Sequence, residues 1–331
     1  MTVPTTVPGT RVTGLRRPLS RLVLGTMNFG DTVDAQAAEL MLDAALDAGI
    51  TAVDTANAYA GGVTEAILGA LLPGRRDRIV LATKAGMQHP DAGDNPLLSP
   101  AALRAGLDGS LRRLRIDHVD LFYLHQPDRD TPVADSLAAV KDFIDQGKVS
   151  AYGVSNHAAW QISEINHTAD GLGMPRPVVG QNLYNLLARR IEDEYLEFAR
   201  TTGLLTMVYN PLAGGLLTGR YSFTNKPTEG RFGDSRLAAM YTERYWDERT
   251  FTAITALSAI AGDAGIGLVE LSLRWLLSKP GVGAVLLGGS KLAQLQANIA
   301  AAAAGPLPED VVVACDRVGA QLRGPMPAYN R

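Results

Sequence analysis

One alternation runs through the whole sequence: a short run rich in Val, Ile and Leu, then a longer stretch whose apolar residues recur at helical spacing. Eight such runs stand out, at residues 21–25, 49–54, 78–84, 119–125, 148–155, 177–181, 204–209 and 284–288. Helical candidates include 34–48, 99–114, 133–146, 158–167, 191–202, 268–278 and 292–302. The punctuation agrees with this division. Ser99-Pro100 offers an N-cap followed by proline at the first helical position, and Gly49, Gly147 and Gly203 stand where a left-handed residue ends a helix. Strands covered on both faces need not alternate polar with apolar, so eight βα units predict an α/β fold, the (β/α)8 TIM barrel. An open doubly wound sheet would carry a G-x-G-x-x-G fingerprint after its first strand, where this chain has Gly25-Thr-Met-Asn-Phe-Gly30.

The 331 residues would make two domains of ~150 residues, or one closed barrel. No linker separates independent units, so the reading is a single barrel over 1–331, with 1–10 a loose tail. Residues 11–19 have the make-up of a hairpin turning at Gly14, suited to closing the barrel's bottom. Segment 210–247, after the seventh run, is too long for an ordinary connection and predicts a long functional or mobile loop.

Composition narrows the function classes. With 46% hydrophobic and 20% charged residues the chain is globular rather than disordered. Its 31 Lys and Arg face 34 Asp and Glu, and no basic run could neutralise a row of phosphates, so nucleic acid is not the expected partner. No window reaches the ~18 apolar residues of a membrane span, and the N-terminus lacks the layout of a signal peptide. The single cysteine, Cys315, excludes an internal disulfide and reads as a bland thiol in a late helix. A cytoplasmic protein is expected, with its oligomeric state left open.

In a barrel, function collects where the strands end. Here the predicted ends carry Asp54, Lys84, His125, Ser155-Asn156, Gln181-Asn182 and Tyr209-Asn210, with Tyr59 five residues past Asp54. One polar strand end is ordinarily just a hydrogen-bonded group; all of them together point to chemistry. If these groups meet, the Lys84 ammonium favours the phenolate and lowers the pKa of the Tyr59 phenol from its reference of ~10. Asp54 holds and neutralises Lys84, and His125 orients a carbonyl oxygen beside the phenol. That is a proton donor for carbonyl reduction. It contains no hydride source, and five histidines without an H-E-x-x-H pair argue against a metal site. A reduced cofactor has to bring the electrons.

These residues resemble the aldo-keto reductases. Asp54-Thr-Ala-Asn-Ala-Tyr59 with Gly61-Gly-Val-Thr-Glu65 is similar to that family's first signature, and Lys84 and His125 complete its tetrad. The resemblance runs from about Arg21 to the C-terminus. It implies the (β/α)8 fold, a nicotinamide cofactor across the barrel mouth, and Tyr59 as general acid. It further implies that Ser155, Asn156 and Gln181 bind the carboxamide, that Tyr209 stacks on the nicotinamide, and that Met27 adds a contact. Asn210, Pro211, Leu212, Gly214, Gly215, Leu216, Gly219 and Arg220 match the loop embracing the pyrophosphate, where glycines let backbone approach phosphate. Gly288, Gly289, Ser290, Lys291, Gln294 and Asn298 match the segment holding the adenosine 2′-phosphate and adenine; a helix N-terminus with Ser290 and Lys291 suits a phosphate dianion, so NADPH is expected over NADH. Ala297 stands where the family usually has Glu.

The second half is most similar to the aflatoxin-aldehyde and succinic-semialdehyde reductase branch. The matching pieces are Asn210-Pro-Leu-Ala-Gly-Gly-Leu-Leu-Thr-Gly, Gly230-Arg-Phe, Met240-Tyr-Thr-Glu-Arg-Tyr-Trp246, Gly305-Pro-Leu and Tyr329-Asn-Arg331. There the resemblance implies that Tyr241, Arg244 and Arg331 bind a substrate carboxylate, a task suited to the guanidinium fork. Phe29, Met87 and Tyr184 are pocket-wall candidates. The leading expectation is thus an NADP-dependent oxidoreductase acting on a small-molecule aldehyde or ketone. A keto-sugar or natural-product ketoreductase with the same tetrad, and a cofactor-binding regulatory subunit, are the alternatives.

Overall fold

A computed structural model describes residues 9–324. The expected strands all form, within a few residues of the predicted bounds: β3 (Leu22–Gly25), β4 (Ala52–Asp54), β5 (Val80–Ala85), β6 (Val119–Leu124), β7 (Val149–Ser155), β8 (Val179–Leu183), β9 (Leu205–Tyr209) and β10 (Val282–Leu287). Each pairs in parallel with the next, and β10 pairs with both β9 and β3, so the sheet closes. This is the (β/α)8 barrel.

Two apolar layers hold it, one on each face of the sheet. In β5, Val80 and Ala82 join the interior cluster with Lys84 further along the same face, while Leu81 and Ala85 pack outward under the helices. In β6, Leu121 and Tyr123 face in; Phe122 and Leu124 face out. The bottom is closed by an antiparallel pair, β1 (Gly9–Thr10) with β2 (Leu19–Ser20), whose loop brings Val12 and Leu15 onto the interior cluster. Gly14 turns at φ +83°, a conformation that favours glycine, and a Cβ there would lie a tight 3.1 Å from the Ser150 carbonyl oxygen. The hairpin was expected at 11–19; its first strand lies just before that range and its second begins at the last residue of it, Leu19. Of the expected tail, Gly9 and Thr10 are paired and 1–8 lie outside the described residues.

The helix signals act as the residue types require. Ser99 accepts from the Ala102 amide, and Gly49, Gly147 and Gly203 all have positive φ. The helix expected over 191–202 is divided: Arg190–Glu192 is a 3-10 turn and Tyr195–Thr202 the helix. There Arg189 pairs with Glu192 and Asp316, and the Tyr184 hydroxyl also bonds Glu192, which pins the first turn to the body. Segment 210–247 is not one loop. It contains Ala213–Thr218, Gly230–Phe232 and the helix Ala238–Tyr245, with Phe232, Tyr241 and Tyr245 buried. Cys315 lies buried in the late helix Glu309–Arg323, where burial pushes its thiol up to about 12. Among the described residues no single helix is long and apolar enough to cross a membrane.

Candidate active site

Parallel strands deliver their C-terminal ends to one rim, and with them three of the four expected groups. Asp54 ends β4, Lys84 lies one residue before the end of β5, and His125 follows β6. Tyr59 begins the 3-10 turn Tyr59–Gly62 and swings back over the same rim. Lys84 is fully buried. Its ammonium touches the Asp54 carboxylate, donates to the Thr55 carbonyl at 2.8 Å and meets the Tyr59 hydroxyl at 3.2 Å. An ammonium has three protons, so the set is complete. The second carboxylate oxygen of Asp54 accepts from Gln181 Nε2 at 2.8 Å.

The electrostatics follow from that packing. Burial alone would discharge Lys84, but Asp54 and Tyr59 outweigh it and hold its pKa above the usual value. For Tyr59 burial outweighs the pull of Lys84, and the phenol lies above its ordinary 10. The expectation that Lys84 brings the phenol below that value is corrected in its net direction: the ammonium acts as expected, and burial opposes it more strongly. Tyr59 is therefore protonated at neutral pH, with a cation beside it to receive the developing phenolate. Burial, then repulsion from Lys84, keeps His125 neutral, well below its usual range. Its ring stands edge-on to Tyr59 at 6.0 Å, and its buried Nδ1 has no hydrogen-bond partner among the described residues.

The residues expected to hold a nicotinamide lie on the adjoining rim and interlock. Asn156, at φ +62°, donates from Nδ2 to the His125 carbonyl at 3.0 Å and to Ser155 Oγ at 3.1 Å, and accepts from the Tyr209 hydroxyl at 2.7 Å. Met27 is partly exposed in the loop after β3. In the loop after β9, Asn210 turns at φ +60° and its Oδ1 accepts from the Gly214 amide at 2.7 Å. Its Nδ2 donates to the Tyr245 hydroxyl, which Asn185 also holds. Pro211, Leu212, Gly214 and Gly215 are partly exposed, Gly219 and Arg220 exposed, while the Leu216 side chain is buried in the core. Gly214, at φ +68°, lies where a Cβ would come 2.6 Å from the Tyr241 ring. After β10, Ser290 and Lys291 are exposed at the start of the helix Leu292–Ala303, and no carboxylate pairs with Lys291 among the described residues. Gln294 turns back to the Ser290 amide and hydroxyl, both at 3.1 Å. The buried Asn298 donates to the Gly288 carbonyl, and Gly289 accepts from Asn28. This donor set fits a dinucleotide phosphate: mixed donors and acceptors at one end, an unpaired cation on a helix N-terminus at the other.

The helix Ala238–Tyr245 brings Tyr241 close enough to Tyr59 to raise its pKa and places the Arg244 guanidinium 5.9 Å from the Tyr241 ring. Arg244 also acts on the Tyr209 hydroxyl. Arg331 lies outside the described residues. Of the pocket-wall candidates, Met87 is exposed, but Phe29 and Tyr184 are fully buried and pack in the core. One pair of mouth residues had no assigned role from the sequence. Arg231 donates to Asn28 Oδ1 at 2.6 Å and stacks 5.3 Å from the Tyr241 ring centre, joining the loops after β9 and β3. The triplet Gly230-Arg-Phe is the signal that marks it.

Comparison with known proteins gives a coherent set. A model of the Aldo/keto reductase family matches residues 21–320. The chain is 39% identical to the human protein named Aldo-keto reductase family 7 member A3, covering 96% of this chain and 100% of that one. It is 39% identical to human Aflatoxin B1 aldehyde reductase member 2, over 93% of this chain and 89% of the relative. A protein of Oryza sativa subsp. japonica named Probable voltage-gated potassium channel subunit beta is 36% identical, over 89% and 90%.

Proposed function

The chain belongs to the aldo/keto reductase family, and from that premise we propose that it is an NADPH-dependent reductase of small aldehydes or ketones, with Tyr59 as the proton donor. The observation that carries the reading is the buried pair of Asp54 and Lys84 reaching the part-buried Tyr59 hydroxyl beside a neutral His125. When bound, the reduced nicotinamide supplies the hydride. Ser155, Asn156 and Gln181 would hold its carboxamide and Tyr209 its ring face. The glycine-bearing loop after β9 and the Ser290–Lys291 helix start would hold the phosphates.

The protein's own share of the reaction is charge handling. A carbonyl oxygen that gains electrons needs a hydrogen bond and then a proton. Neutral His125 can donate without adding charge, and Tyr59 supplies the proton. As its O–H bond breaks, the Lys84 ammonium stabilises the oxygen left behind, and Asp54 keeps Lys84 charged. Carboxylated aldehydes suit the site best, because Arg244 stands by Tyr241 and Tyr209, the two rings that neighbour Tyr59, and relatives named as aldehyde reductases agree with an aldehyde substrate.

A regulatory, cofactor-binding reading draws support from the relative named as a channel subunit. The intact tetrad favours catalysis, since a sensor has no need of a proton donor. The test is NADPH oxidation against succinic semialdehyde, a neutral aromatic aldehyde and a keto sugar, with NADH in parallel. Turnover on an aldehyde that is preferred with NADPH is expected. A preference for the keto sugar moves the substrate class, and NADPH binding with no turnover on any of them favours the regulatory reading.

A further inference from the structure

Behind the tetrad lies a second ionic cluster that the proposed reaction does not use. Glu65, in the first turn of the helix Val63–Leu71, is fully buried. Its Oε1 accepts from Thr83 Oγ1 at 2.5 Å and its Oε2 from Arg113 Nε at 2.8 Å. Arg113 extends the chain to Asp91 Oδ2 at 2.9 Å. Thr83 is the neighbour of Lys84 on β5, with its side chain on the opposite face of the strand. One carboxylate thus ties the strand that carries Lys84 to the helix that follows the Tyr59 turn.

That turn is unusual in its backbone. Ala60, Gly61 and Gly62 follow Tyr59 with φ of +47°, +62° and +93°. Three consecutive left-handed residues, one of them alanine, need surroundings that hold them. The Arg113 side chain lies directly on this turn: a Cβ on Gly62 would sit 2.8 Å from its Cδ and 2.9 Å from its Nε. At the other end Gly109 leaves room for the partner carboxylate, since a Cβ there would lie 2.2 Å from Asp91 Oδ2. Two glycines on different elements make space for one guanidinium and its acceptors.

We infer that Arg113 is a positioning residue for Tyr59: its guanidinium clasps Glu65 and Asp91 across Gly62 and holds the turn Tyr59–Gly62 against the strand bearing Lys84. The consequence for catalysis rests on the proposed carbonyl reduction; the ordering of the turn does not. Without the clasp, Tyr59 samples positions away from Lys84, and the proton donor is in place for a smaller fraction of the time. Cofactor and aldehyde contacts lie on other loops and stay as they are.

The experiment compares the full-length wild type with Glu65→Gln and Arg113→Lys. Glu65→Gln weakens the clasp without leaving a buried anion unpaired, and Arg113→Lys keeps the charge but loses the fork. In both, amide hydrogen exchange over residues 59–65 is expected to quicken at least tenfold relative to β7. The kcat for an aldehyde falls at least tenfold, while its KM and the NADPH Kd stay within twofold. Unchanged exchange over 59–65 overturns the inference, as does unchanged kcat in an active enzyme or a rise in KM equal to the loss of kcat. Loss of folding in both variants also overturns it, because the cluster would then support the barrel as a whole. Should the wild type turn over no carbonyl, the proposed function fails, and the exchange measurement alone decides the role of Arg113.

Discussion

The Lys84 ammonium stands 3.2 Å from the Tyr59 hydroxyl with its remaining protons directed to Asp54 and the Thr55 carbonyl. A cation so confined cannot turn away from the phenol, so its effect on proton release is built into the fold.

Tyr59→Phe removes the proton donor and little else. The kcat should fall by about 10²- to 10⁴-fold, with the NADPH Kd unchanged in a fluorescence titration. Near wild-type turnover would exclude Tyr59 as the acid.

Lys84→Met leaves the Asp54 carboxylate, 1% exposed, without its counter-ion. Loss of one partner of a buried pair costs about 3–5 kcal/mol, to be read from urea unfolding, and the double variant Lys84→Met/Asp54→Asn should recover much of it. The pH dependence has a definite sign. Because the folded-state pKa of Lys84 is above its usual 10.5, the stability it contributes is whole below that value and is lost as pH rises through the folded value. The melting temperature should therefore fall more steeply on the alkaline side in the wild type than in the double variant.

His157 is buried, with Nδ1 on the Ser155 carbonyl at 2.8 Å, and burial brings its pKa down to about 4 from 6.5. A depressed histidine favours the fold above its unfolded pKa, and that stability is lost as pH falls from about 6.5 to 4. The contribution is about 3 kcal/mol. Wild type should lose more stability than His157→Asn between pH 7 and 4.5 in thermal unfolding; identical slopes would show that His157 does not set this limb.

Arg244→Ala should raise KM about tenfold (~1.4 kcal/mol) for succinic semialdehyde and leave a neutral aldehyde unaffected. Steady-state kinetics on the two substrates decide it. An equal effect on both would remove Arg244 as a carboxylate ligand.

The closed sheet was legible because strands buried on both faces leave a record in composition, and every one of them formed near its predicted place. Asp54, Lys84 and His125 were legible because a barrel sends strand ends to one rim. The interior of 210–247 was not, since the burial of Phe232, Tyr241 and Tyr245 depends on packing partners that local pattern does not name. Arg231 with Asn28 and Arg113 with Glu65 join loops and helices far apart in the chain, where a local motif such as Gly230-Arg-Phe can mark one residue but spacing does not name its partner.

By itself the sequence determined the order of the eight strands, most of the helices between them, the barrel they close into, and the chemical types gathered at its mouth, because each is written in local periodicity and strand-end composition. Only the tertiary structure decided how acidic those groups are. The net rise of the Tyr59 pKa is a contest between burial and a cation from another strand, and burial exists only once the chain has closed around both.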